Sequence, residues 1–99
     1  DDKVVLVAKN IDPKQAQVID AKGLYVTPGV IDIHSHNFFG TQEDHHLGDG
    51  FEALPPDGFT FRTGVTTVVD AGGAGWKTFT KFKAQTIDHS KTRVLSFND

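Results

Sequence analysis

Pro28-Gly29-Val30-Ile31-Asp32-Ile33-His34-Ser35-His36 is the stretch on which the reading of this chain turns. Pro28-Gly29 interrupts the backbone, and residues 30–34 are an apolar run of the kind found in parallel strands buried on both faces. Strand side chains alternate between faces, so Asp32, His34 and His36 share one. At the carboxyl end of a strand that face points into the region where α/β proteins place their active sites. Two imidazoles so held can share one cation. Zinc, iron, manganese and nickel all accept imidazole nitrogen, so the pair does not select the metal, and solvated or core histidines are the plain alternative.

Working outward, residues 3–8, 17–20 and 24–27 are short and β-branched. They are bounded by Asn10, Asp12 and Pro13 and by Ala21-Lys22-Gly23, which predicts three strands of a small sheet. Beyond His36, residues 37–56 are rich in Gly, Asp and His and form a loop. Asp57 is expected to cap a short helix running to Arg62, with Gly64 as its stop. Residues 65–71 read as a strand, Gly72-Gly73-Ala74-Gly75 as a tight loop, and residues 92–97 as a further strand. Between them Trp76, Phe79, Phe82, Lys83, Thr86 and Ile87 recur three and four apart, the mark of a helix with an aromatic core face. Strands separated by helical segments pair in parallel. The fold class is therefore α/β. Residues 1–27 read as a small antiparallel sheet and residues 28–99 as an incomplete α/β sheet or barrel, because a closed eight-stranded barrel takes about 250 residues.

Composition limits the function classes. Ten Lys and Arg against 13 Asp and Glu give a net charge of −3, with no basic block to track a phosphate backbone, so nucleic acid is not an expected partner. No apolar run approaches the ~20 residues of a membrane span. The chain has no cysteine, so any metal must be held by nitrogen and oxygen. It also has no methionine and is strand-like at both ends, which reads as a piece of a longer protein. The expected compartment is the cytoplasm, or the periplasm if a signal peptide precedes this piece.

The 28–36 stretch resembles the P-G-x-I-D-x-H-x-H signature on the first barrel strand of the amidohydrolase superfamily. Residues 18–26, Val-Ile-Asp-Ala-Lys-Gly-Leu-Tyr-Val, resemble the passage from small β-domain to barrel in those enzymes. Gly64-Val-Thr-Thr-Val-Val-Asp-Ala-Gly72 is similar to their second strand. With Pro55-Pro-Asp-Gly-Phe59, Ala74-Gly-Trp76 and Thr92-Arg-Val-Leu95, the chain is most similar to the amidohydrolase and deacetylase group. The resemblance implies that residues 1–27 are part of a small β-domain, that residues 28–99 open a TIM-type (β/α)8 barrel, and that His34 and His36 ligate the more buried of one or two divalent ions, usually zinc. It also implies that a carboxylated lysine, two more histidines and an aspartate come from strands beyond Asp99, so the catalytic residues are expected there. The implied activity is metal-assisted hydrolysis of a non-peptide carbon–nitrogen amide or a related ester in a small acylated substrate, deacetylation first. A dihydroorotase-like cyclic amidohydrolase is the near alternative. Those members usually place an arginine two residues after the second histidine, where this chain has Phe38.

Other residues carry expectations of their own. Asp32 could orient the site from one layer deeper or be a buried structural acid. Asp70, ending its strand, is expected to hydrogen-bond the loop that follows, with contact to the metal surroundings or substrate as the sharper reading. Asn37 can cap a turn, and Phe38-Phe39 either wall the site or pack beneath the loop. His45-His46 read as solvated, and His89 as a partner of a helix end. The Gly72–Gly75 loop could cradle a nucleotide or phosphate with its amides, which gives a non-enzymatic binding module as a further alternative.

Overall fold

The computed structural model describes residues 3–40 and 53–97. Three strands form one sheet in the order β1 (Val30–Ser35), β2 (Val65–Ala71), β3 (Arg93–Phe97), with both pairings parallel. The β-branched content of residues 65–71 explains why β2 is central, since such side chains fit a pleated surface flanked on both sides. Helix α1 (Thr60–Thr63) precedes β2 and ends at Gly64, whose φ of 72° is the left-handed cap that glycine adopts without a steric penalty. Helix α2 (Phe79–Gln85) connects β2 to β3.

The core lies on the helix side of the sheet. Val68 and Val94 face each other in register across β2 and β3, and both are buried with Phe38, Ala74 and Phe82. Phe59, Val65, Phe79 and Ile87 pack around them. The Phe38 and Phe82 rings meet at 5.3 Å, so the segment leaving β1 is fastened to α2 by an aromatic contact.

A second fastening lies at the amino ends of the strands. Asp57, in a 3-10 turn over Pro56–Gly58, accepts hydrogen bonds from the Lys91 amide at 2.9 Å, the Thr92 amide at 2.9 Å and the Thr92 hydroxyl at 2.7 Å. Asp57 therefore does not cap α1, as the sequence suggests. It clips that region to the entry of β3 instead, because three donors there outmatch one frayed helix turn. Burial pushes this carboxyl up, but the Lys91 and Thr92 amides, the Thr92 hydroxyl and the Lys91 charge pull it down further, leaving it below its ordinary 3.8.

Three expectations fail. No strand forms between Lys3 and Gly29, so the small sheet over residues 3–27 is absent among the described residues. The turns are where the sequence puts them, with the Lys14 amide bonded to Asp12 and the Lys22 amide to Asp20. The runs between them have no described partner and no face to bury: Val5 is 92% and Tyr25 100% exposed. β-Propensity reflects packing and pairing, and without either it produces no sheet. Likewise β1 is not buried on both faces. It is an edge strand, and Val30, Ile31 and Ile33 are exposed. Trp76, expected in the aromatic core, sits ahead of α2 and is 72% exposed, with the Lys77 ammonium 5.4 Å from its ring centre.

Gly29, just ahead of β1, packs directly against Thr66 of β2. A Cβ built there would overlap the Thr66 side chain and lie 2.7 Å from Thr66 Cβ, an atom that no rotamer change can move. Gly29→Ala is expected to lower stability by about 1–3 kcal/mol, read as a shift in the urea midpoint of the chain. Asp57 gives a pH-dependent test. Its folded-state carboxyl is depressed, so its contribution is complete above the ordinary carboxyl range and is lost as pH falls through the lower folded value. Asp57→Asn should therefore destabilise the chain at neutral pH and flatten the acid limb of its stability profile.

Candidate functional site

His34 and His36 lie at the carboxyl end of β1, and their rings are 5.5 Å apart, edge to face. The register places them. Asp32 is opposite Val68 and Ser35 is opposite Asp70, so three steps on β1 face two on β2, and β1 carries a bulge between them. One extra residue reverses the alternation. Asp32 is thereby set on the Val68 face, not with the imidazoles, which corrects the shared face expected from spacing. Ser35 is turned to the core, where its hydroxyl donates to the Val69 carbonyl at 3.0 Å. The histidines on either side of it project to the opposite, open face, His34 exposed and His36 half-buried.

The pair suits one cation. With Zn–N contacts near 2.1 Å, ring centres of two imidazoles on one ion stand roughly 5–6 Å apart. Two ligands do not make a complete site, and among the described residues no group of three or more ligating side chains is arranged to hold a metal. Asp32 accepts the His34 amide at 3.0 Å, so it braces the backbone of its own strand.

Behind the pair is a buried polar network. Asp70 is fully buried, and its carboxylate accepts three backbone amides: Asn37 at 2.6 Å and Phe38 at 3.1 Å on one oxygen, Gly73 at 2.7 Å on the other. The bond to the loop after β2 was expected, and the two bonds to the segment leaving β1 were not. Asn37, also fully buried, donates its side-chain amide to Ser35 Oγ at 2.6 Å, while its backbone carbonyl accepts from Thr86 Oγ1 at 3.5 Å. It is a core residue, not a surface turn cap. The involvement of Ser35 escaped sequence reasoning, although a small hydroxyl between two outward imidazoles must face inward, and that was the available signal.

The remaining candidates separate cleanly. Phe38 is buried in the core, so it packs and does not wall the site. His89 lies in a 3-10 turn just before β3, at the end of the sheet away from His34 and His36. His45 and His46 fall outside the described residues. In the glycine loop the Gly73 amide is taken by Asp70 and the Gly75 amide by Thr78 Oγ1 at 3.1 Å, which leaves neither for a phosphate. Two of the loop's four backbone amides are thus committed within the chain, which weakens the nucleotide-binding alternative.

No family model matches the chain. Individual relatives do. A deacetylase of Agrobacterium fabrum is 34% identical over 98 residues, 98% of this chain and 22% of the relative. A dihydroorotase of Streptococcus thermophilus is 65% identical over 59 residues, 59% of this chain and 14% of the relative. A D-hydantoinase of Geobacillus stearothermophilus is 50% identical over 75 residues, 71% and 14%. The chain belongs to the amidohydrolase superfamily. It spans about a fifth of the length of the first of these curated relatives. Among the described residues no helix is long and apolar enough to cross a membrane.

The buried position of Phe38 yields a test. Phe38→Arg would put a guanidinium among the apolar side chains of Phe82, Val68 and Val94, while the nearby Asp70 carboxylate is already held by three backbone amides. The variant should lose cooperative urea unfolding, whereas a residue at an open mouth would tolerate the change within about 0.5 kcal/mol.

Proposed function

We propose that this chain supplies the first pair of metal ligands, His34 and His36, to a hydrolase of carbon–nitrogen bonds in small acylated molecules, with deacetylation as the reaction. The observation that carries the reading is the pair of imidazoles 5.5 Å apart on the open face at the end of β1. The deacetylase relative supports the choice of reaction, because it aligns over 98 residues where the dihydroorotase aligns over 59. In this reading residues 28–99 open a barrel and residues 1–27 belong to a separate β-domain.

The chemistry divides between this chain and the rest of the protein. A divalent cation, zinc first, supplies water of lowered pKa and polarises the acyl carbonyl. His34 and His36 hold and aim it. Ser35 faces away and leaves the open side to substrate. Asp32 and Asp70 are both engaged by backbone amides, so the group that carries the proton from attacking water to the leaving amine is assigned to residues outside this chain.

A second reading, hydrolysis of cyclic amides, draws on the dihydroorotase and hydantoinase relatives. Against it stands Phe38, buried where a carboxylate-gripping arginine is usual in dihydroorotase-like members. Assays of the whole protein on N-acetyl compounds and on five- and six-membered cyclic amides separate the two. His34→Ala and His36→Ala should each lower kcat/KM on the preferred substrate beyond the ~100-fold typical of residues that only support a ligand. His89→Ala should leave it unchanged, and an equal loss in all three variants would remove the assignment.

A further inference from the structure

The peptide that joins His36 to Asn37 is held at both of its polar groups. Its carbonyl accepts the Leu54 amide at 3.0 Å, and its N–H donates to Asp70 Oδ2 at 2.6 Å. A peptide unit is planar, so fixing both groups fixes its plane and leaves the His36 backbone little freedom. The adjoining Phe38 amide reaches the same carboxylate oxygen, and Gly73 reaches the other. Gly73 is small where it must be, since a Cβ there would lie 2.7 Å from Asp70 Oδ1. Asp70 therefore ties the exit of β1, immediately after the second histidine, to the first turn beyond β2.

We infer that Asp70 is a positioning residue for the His34 and His36 pair, acting through the Asn37 and Phe38 amides with no bond of its own to an imidazole. The inference rests on the metal-binding reading above and deepens it. Ligand spacing in a rigid site must hold within fractions of an ångström, and here the rigidity comes from a buried carboxylate with three donors. An asparagine in its place has one acceptor oxygen and an NH2 group. It can serve the β1 exit or Gly73, but not both, and its NH2 would face an N–H.

The test is a zinc titration of the metal-free whole protein that contains this chain, followed by imidazole 1H–15N NMR, with far-UV circular dichroism as the check on folding. In the native protein zinc should shift the His34 and His36 ring signals together. Asp70→Asn should raise the zinc concentration at half-shift about 10-fold or split the two responses. Gly73→Ala displaces the carboxylate while keeping its charge, and should weaken binding in the same direction. If Asp70→Asn fails to fold, this variant decides. Asp57→Asn is the control, because it removes a similar carboxylate clip at the other end of the sheet and should lower stability without moving the zinc midpoint. Zinc shifts in the native protein that persist at the same midpoint in Asp70→Asn, or in Gly73→Ala, overturn the positioning role alone. Ring signals of His34 and His36 that ignore zinc in the native whole protein overturn the metal-binding reading and this inference with it.

Discussion

A fully buried acid near the end of the central strand must find donors, and the three amides gathered on Asp70 are the condition that organises this end of the molecule. A carboxylate taken from water without partners costs far more than a small domain can sustain. The chain meets that demand with backbone N–H groups and no cation, which forces residues 37–38 and residue 73 to converge on one point. Several features then follow. β1 must leave the sheet toward β2, Phe38 is delivered to Phe82, and the bulge in β1 brings Ser35 into register with Asp70. The open face is left to the two imidazoles.

What the sequence revealed depended on whether the deciding interaction was local. Residues 65–71 were legible as β2 from β-branched content, and Gly64 as a helix stop, because both depend on backbone preferences of the residues themselves. Residues 3–27 were not, because a strand is defined by a partner that its own sequence does not name. The same limit applies to β1. Its apolar run reads as doubly buried, yet the described sheet places it at an edge. Asp57 sits where a helix cap belongs, and the competing donors at Lys91 and Thr92 lie 34 and 35 residues away in the chain.

The candidate site divides along that line. His34 and His36 stood out because their spacing and the preceding Pro-Gly are a pattern within nine residues. Asp32 was read with them by alternation, and a single bulged residue moved it to the other side. The support given by Ser35, Asn37 and Asp70 is long-range: Asp70 reaches back 33 residues to Asn37, and no periodicity encodes that. The relatives supply breadth, and the hydrogen bonds supply the reason why the residues after the histidine pair matter as much as the pair.

Trp76 is the only tryptophan in the chain, and it projects from the loop after β2 with most of its surface in water. An indole already solvated in the native state emits much as it does in an unfolded chain. Its fluorescence therefore reports poorly on whether the sheet is intact, and the beginning and end states of unfolding can look alike through it. The same exposure, with Lys77 beside the ring, leaves that emission open to quenchers and to any molecule that settles over the loop. The indole is an optical gauge of what arrives at the carboxyl end of the sheet, not of whether the sheet has formed.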